Sequence, residues 1–231
     1  MIPLHDTVPT RRRPVVTLAL IGANVAVWLL YQLPDLPRSV ADLGFRPCEV
    51  VGSCAPYGAS WPVNALTAMF LHGDWLHLLG NMLFLWIFGN NVEDAMGRAR
   101  YLVFYVLAGL IATALQTWVT LTVGSPGEGE VPMVGASGAI AGVLGAYFFL
   151  LPLARVVVLV LLPLPVPIEV PALVFLGFWF LFQLWQGGFS LVAADSVGGI
   201  AFFAHVGGFA FGLAAARAFA PRRRPRIAGP W

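Results

Sequence analysis

Apolar residues in this chain come in long runs, separated by short polar or Pro/Gly-rich connections. A helix needs about 20 residues to cross a hydrocarbon core. At that window six segments stand out: 14–33, 74–90, 100–123, 137–151, 170–187 and 199–220. The connections, among them PDLPRSVADLGFRPCEVVGSCAPYGASWP, NNVEDAMGR, GSPGEGEVP and GGFSLVAADSVGG, are rich in turn-forming residues. A further run, VVVLVLLPLPVPIEVP from Val156, is broken by Pro163, Pro165, Pro167 and Pro171. It is too short to cross and is expected to lie along the membrane interface. The pattern predicts an all-α, polytopic membrane protein with six transmembrane helices. Residues 1–13 form an N-terminal tail, 14–220 the membrane domain and 221–231 a basic C-terminal tail.

Composition agrees, since 59% of the 231 residues are hydrophobic and 10% charged, with a mean hydropathy of +0.82. The 13 basic residues are all arginine and sit at chain ends and short loops, which argues against nucleic acid as a partner. Instead they report orientation. Arg11, Arg12, Arg13, Arg98, Arg100, Arg155, Arg217, Arg222, Arg223, Arg224 and Arg226 fall on one side of a six-span layout, and only Arg38 and Arg46 on the other. The positive-inside rule then places both termini in the cytoplasm of a cell-membrane protein and the acidic loops with Glu128, Glu130 and Asp195 outside. No small-residue cleavage site follows the first apolar run, so it is expected to be a retained span.

With that orientation, the second, fourth and sixth segments enter from the outer face. Their first residues, in GDWLHLLGNM, GASGAIAG and GGIAFFAHVGGFAFG, put His77, Asn81, Ser137 and His205 in the outer half of the bilayer. Polar groups at such depth are costly and point to function. The fourth segment, of roughly 15 residues, is only about 22 Å long at 1.5 Å per residue, so Ser137 lies below the outer surface. His205 is about six residues into its span, sunk roughly 9 Å by the same rise. A serine and an imidazole at matched depth can meet. The irregular chain ahead of Ser137 must then dip into the membrane, where protein or a water-filled cavity satisfies its backbone. His77 and Asn81 are four residues apart and share a helix face. Gly138 and Gly142, and Gly208 and Gly212, are small-xxx-small pairs that let two helices touch backbone to backbone.

The motifs HGDWLHLLGNM, GASGAIAG and AHVGGFAFG, in this order, resemble the rhomboid family of intramembrane serine proteases over roughly residues 15–220. The resemblance implies a six-helix bundle that cleaves other proteins' transmembrane segments near the outer face, without metal or other cofactor. Ser137 matches the family's nucleophile and His205 its general base. His77 and Asn81 match its oxyanion-stabilising side chains, and the N–H of Ser137 at a helix start is a third donor. Gly135 lies in the loop beside the serine, where a glycine admits close approach. Implied partners are transmembrane protein substrates and the lipid bilayer; the oligomeric state is left open. Glu93 and Asp94 resemble the family's polar inner loop and are read as stabilising.

Two departures from the family pattern stand out. Trp61 is followed by Pro62 where a Trp-Arg pair is common in the first outer loop, which leaves the brace of that loop open. The position four after the serine, often aromatic, is Ala141, and Phe202 or Phe203 is the expected substitute as support for the histidine ring. Asn24, Gln32, Gln116, Gln183 and Gln186 are read as structural or interfacial, and His5 and His72 as incidental. Span five with the outer loops is the expected mobile element admitting substrate, since Trp185 and a QGGFS turn lie beside the mouth.

Other chemistries find no support. There is no H-E-x-x-H zinc motif; Asp74, Asp94 and Asp195 fall at span ends, so no intramembrane aspartate pair forms. A transporter would show paired broken helices in repeated halves, and no internal repeat is visible. A proteolytically silent rhomboid-like protein that binds membrane clients would share the bundle, but the joint presence of Ser137, His205, His77 and Asn81 favours the enzyme. Cys48 and Cys54 lie in the first outer loop, where they form either a disulfide or two free thiols; spacing alone does not decide.

Overall fold

The computed structural model describes residues 2–161, 164–192 and 201–220. The tail 221–231 and the loop residue Asp195 lie outside the described residues. Each apolar segment becomes helix. The first is α1 (Val15–Val27), which runs on through a widened turn at Trp28–Gln32. The loop that follows carries three short helices, α2 (Leu36–Leu43), α3 (Pro47–Val50) and α4 (Trp61–Thr67). Next, α5 (Trp75–Phe84) continues through a second wide turn at Leu85–Gly89 into α6 (Asn90–Met96). The remaining helices are α7 (Arg98–Val123), α8 (Ser137–Leu150), α9 (Ala172–Val192) and α10 (Phe202–Phe219).

By length and composition, Val15–Gln32, Arg98–Val123, Ala172–Ser190 and Phe202–Phe219 can each cross a membrane, and Ser137–Leu150 is a shorter apolar helix. The protein is therefore a mostly helical, polytopic membrane protein. Helix α9 begins two residues after the expected start, because 170 and 171 belong to a strand, and it runs beyond 187 to Val192. The QGGFS stretch is helix, not turn.

Helix α8 is the centre of the bundle. Residues from Gly138 to Tyr147 are all buried, between α7 on one side and α10 on the other. A helix enclosed all round needs no polar face, which explains its uniformly apolar sequence. Its glycines set the spacing. A methyl group at Gly208 would overlap the carbonyl oxygen of Gly138, and one at Gly212 that of Gly142, so the paired glycines allow α8 and α10 to touch through their backbones. Gly142 in turn faces the Ala108 methyl of α7. Since the blocking atoms at Gly212 are backbone and cannot rotate away, Gly212→Ala is expected to cost about 1–3 kcal/mol. In a thermal melt in detergent, an unchanged midpoint would show that α8 and α10 can separate freely.

To this bundle the structure adds a three-stranded antiparallel sheet, ordered β1-β2-β3. Strand β1 (Ile2–Asp6) comes from the segment expected to be a tail, whereas β2 (Arg155–Val160) and β3 (Val166–Pro171) come from the proline-broken run expected along the interface. Val156 and Val158 are fully buried while their neighbours are not, the period of two of a half-buried strand. The prolines are tolerated because β1 and β3, which carry Pro3, Pro167 and Pro171, are the edges.

Two carboxylates fasten the end of the bundle opposite Ser137. Glu93, buried on α6, accepts hydrogen bonds from the Val16 and Thr17 backbone N–H groups at 3.0 and 2.8 Å and from the Thr17 hydroxyl at 2.8 Å. It thus satisfies the free N–H groups at the start of α1. Asp94 accepts from the Arg11 N–H at 3.2 Å, so both residues take the stabilising role expected of them. Asp6 of β1 accepts from the Tyr147 hydroxyl and the Asn91 amide, each at 2.6 Å. Burial pushes the Asp6 carboxyl up from 3.8 to about 6, despite these bonds. The folded state therefore holds a proton that the unfolded state has already lost, and this stability is full below about pH 4 and lost as pH rises through about 6. We expect the melting midpoint of wild type, relative to Asp6→Asn, to fall between pH 4 and 7. A pH-independent difference would refute the linkage.

Candidate active site

Ser137 is the first residue of α8, so its N–H is among those that a helix start leaves without an intrahelical acceptor. The chain reaches it through an irregular segment tied to neighbouring backbone at Met133 and Gly135. Phe45 and Met133 exchange N–H···O bonds of 3.0 and 2.7 Å, and the Gly135 N–H donates to the Ala68 carbonyl at 2.9 Å. His205 lies in the first turn of α10. The start of that helix is held by α7, where the Gln116 side-chain oxygen accepts from the Ala204 N–H at 3.2 Å.

The two side chains meet. His205 Nε2 lies 2.8 Å from Ser137 Oγ. On its other side, Nδ1 lies 2.9 Å from Oε1 of Gln183 on α9. An amide oxygen only accepts, so Nδ1 carries the ring proton and Nε2 is the acceptor that the serine hydroxyl requires. Ring support for His205 comes from Trp179, also on α9, at 5.9 Å between centroids. This corrects the expectation of Phe202 or Phe203, both of which stand against Gly187. Gln183, read as structural or interfacial, is brought directly against the imidazole.

His77 and Asn81 lie one turn apart on α5, whose N-terminus is capped by Asp74 accepting from the His77 N–H at 2.8 Å. His77 Nδ1 accepts from the Gly73 N–H at 3.3 Å, leaving the ring proton on Nε2. That nitrogen faces the serine loop. A methyl at Gly135 would stand 2.8 Å from His77 Nε2 and 3.5 Å from Ser137 Oγ, and Gly135 has φ +128°, a region that favours glycine. Among the described residues, the buried side-chain nitrogen of Asn81 has no hydrogen-bond partner. His72, read as incidental, packs edge-on against His77 at 5.0 Å between centroids. Burial pushes the His72 ring down to about 3, so it stays neutral there. Gln32 fixes it, donating to its carbonyl at 2.9 Å and accepting from its N–H at 2.8 Å.

A cavity of about 40 Å³ opens beside Ser137, lined by Ala68, Met69, Gly109, Ala112, Thr113 and Gly138 among others. The loop between α1 and α5, which lacks the Trp-Arg pair, is braced by the Arg46–Glu49 ion pair, the Thr67 hydroxyl donating to the Leu43 carbonyl at 2.9 Å, and a disulfide between Cys48 and Cys54. Closing so short a ring stabilises by about 2 kcal/mol at most. A Cys48→Ser/Cys54→Ser variant is expected to keep full cleavage while melting a few degrees lower; loss of activity in a still-folded variant would give the loop a catalytic role.

The fold and site together define a polytopic helical membrane protein with a serine–imidazole pair recessed between its helices. Residues 60–222 match the family model for the Rhomboid domain, more than half of the chain. The chain belongs to the rhomboid family, whose homology supports a function of the intramembrane-protease type. It is 30% identical over 138 residues to Rhomboid protein 1, mitochondrial, of Saccharomyces cerevisiae, covering 60% of this chain and 37% of that protein. It is 29% identical over 201 residues to the presenilin-associated rhomboid-like protein, mitochondrial, of Bos taurus, covering 84% and 46%. It is also 30% identical over 141 residues to the putative rhomboid protease YdcA of Bacillus subtilis, covering 61% and 64%. The chain thus spans less than half the length of the two mitochondrial relatives.

Proposed function

We propose that this protein is a serine endopeptidase that hydrolyses peptide bonds in or near transmembrane segments of other membrane proteins. The observation that carries the proposal is the 2.8 Å contact between Ser137 Oγ and His205 Nε2 within an apolar bundle. In this reading, His205 takes the hydroxyl proton as Oγ attacks the scissile carbonyl carbon. The carbonyl oxygen becomes an oxyanion and receives hydrogen bonds from the Ser137 N–H, His77 Nε2–H and the Asn81 amide. The tetrahedral intermediate collapses, His205 protonates the leaving amine, and an ester on Ser137 remains. A water deprotonated by His205 then hydrolyses the ester. No step calls on a metal.

The cavity beside Ser137, lined by small and apolar groups, favours a small side chain next to the scissile bond. A helical substrate hides its carbonyls in its own hydrogen bonds, so residues that weaken helix, Gly, Ser or Pro, near the outer end of its span favour cleavage. The arginine distribution supports a multi-pass arrangement with both termini on the inner side, cytoplasmic in a cell membrane. The test is incubation of the purified protein with a panel of single-span substrates, with and without Ser137→Ala. Cleavage that requires Ser137 supports the proposal. A wild-type protein that binds the substrates and cuts none favours a silent client-binding protein instead.

A further inference from the structure

We propose that Gln183 of α9 is a positioning residue that fixes the tautomer and orientation of His205, so that the base is competent only while α9 stands against α10. The inference rests on the protease reading above and adds a third member to the serine–imidazole pair. Three observations carry it. First, Gln183 Oε1 lies 2.9 Å from His205 Nδ1, on the side of the ring opposite Ser137. Second, Gln183 is a buried polar residue in a helix whose neighbours Leu181, Phe182, Leu184 and Trp185 are exposed apolar groups. An amide turned inward from such a helix needs a partner, and among the described residues its oxygen meets His205 Nδ1. Third, Trp179, one turn earlier on the same face, packs on the same imidazole. A single helix therefore supplies both the acceptor and the ring support for the base.

The chemistry is specific. A neutral imidazole divides its proton between two nitrogens, and only the Nδ1–H form leaves Nε2 free to accept from Ser137. An acceptor at Nδ1 selects that form and stabilises the imidazolium that arises as Ser137 attacks, the task an aspartate performs in a triad. A neutral amide suits an apolar bundle better, because it carries no charge to desolvate. The consequence concerns substrate entry. If α9 moves outward to admit a helix, it withdraws Gln183 and Trp179 from His205, and proton transfer waits for α9 to return. Access and activation are then mutually exclusive positions of one helix.

Among the described residues, the ionisable side chain that acts on His205 from a neighbouring element is His77 of α5. Helix α9 has no ionisable residue. Those of α7 (Arg98, Arg100, Tyr101, Tyr105), Tyr147 of α8 and Arg217 of α10 sit toward the inner ends of their helices.

The test uses the full chain in detergent with a single-span substrate and three variants, Gln183→Ala, Gln183→Met and Gln183→Glu. Ala and Met remove the oxygen acceptor, Met keeping the length and apolar packing. Both are expected to lower kcat about 10- to 100-fold with KM changed less than about threefold. Gln183→Glu restores an acceptor and stabilises the charged imidazole, so the acid limb of kcat moves to higher pH. A purely structural role predicts no movement of that limb and a worse protein with the buried carboxylate. Unchanged kcat in a folded Met variant, or a Glu variant with the wild-type pH profile, overturns the proposal. A second readout needs no turnover. In ¹⁵N-histidine spectra, His205 is expected as the Nδ1–H tautomer in wild type and as a mixture in Gln183→Met; identical spectra overturn the assignment. Should wild type cut nothing while the tautomer still depends on Gln183, the protease reading falls and the positioning role stands.

Discussion

Ser137→Ala and His205→Ala are each expected to reduce cleavage by at least about 10⁴-fold while leaving a folded protein. Nucleophile and base act as one unit, so removing either forfeits nearly the whole of their joint contribution. The geometry explains why neither loss is rescued. Ser137 Oγ has one base at 2.8 Å, and that base has its other nitrogen committed to Gln183. The double variant is therefore expected to be no slower than either single one. Folding should survive because Ser137 and His205 are only partly buried, and the surfaces that hold α8 to α10 are glycines deeper in the bundle. A progress curve with substrate in excess, beside a thermal melt of each variant, separates the cases. Turnover near wild type in either single variant would remove the pair from the mechanism. Strictly additive losses would mean that two independent events had been mistaken for one.

The parts of the site legible in the sequence are those fixed by short-range spacing. His77 and Asn81 share a face because four residues make about one turn, and the glycine pairs repeat at the same interval. Ser137 and His205 were matched through depth, which follows from counting residues from the ends of apolar runs. What escaped was set by helix rotation about long axes. Gln116 and Gln183 look alike in sequence, each a lone amide in an apolar run. Yet Gln116 caps α10 through the Ala204 N–H, whereas Gln183 meets the ring of His205. Nothing within α9 says which of its faces turns inward. Five residues separate His72 from His77, which is not the spacing of a shared helix face, but helix spacing does not apply across the Asp74 cap, and the bend before it sets one ring edge-on against the other.

The sheet escaped for a different reason. In VVVLVLLPLPVPIEVP the prolines argued against regular structure, and they do exclude a spanning helix. They do not exclude edge strands. The β-branched density of that run is itself a strand signal. What the sequence withheld is the third strand, since Ile2–Asp6 pairs with residues about 150 positions away, and no local pattern reports so distant a partner.

Asn81→Ala and His77→Ala are expected to separate catalysis from stability in opposite ways. Both remove a donor to the oxyanion, so each should lower kcat by about 10- to 1,000-fold with little change in KM, because such donors act on the transition state more than on the bound substrate. Their resting environments differ. Among the described residues the buried Asn81 amide nitrogen has no partner, so its desolvation is a standing cost that truncation removes. Asn81→Ala should therefore melt no lower than wild type. His77 instead accepts from the Gly73 N–H at 3.3 Å and packs on His72 at 5.0 Å, contacts that shape the turn ahead of α5. His77→Ala should consequently melt lower. Steady-state kinetics and melts on the two variants read both axes. A rise in KM alone would make these residues substrate contacts rather than oxyanion donors. A clear loss of stability in Asn81→Ala would mean that its amide has a resting partner, most simply a water, and is not held in reserve for the transition state.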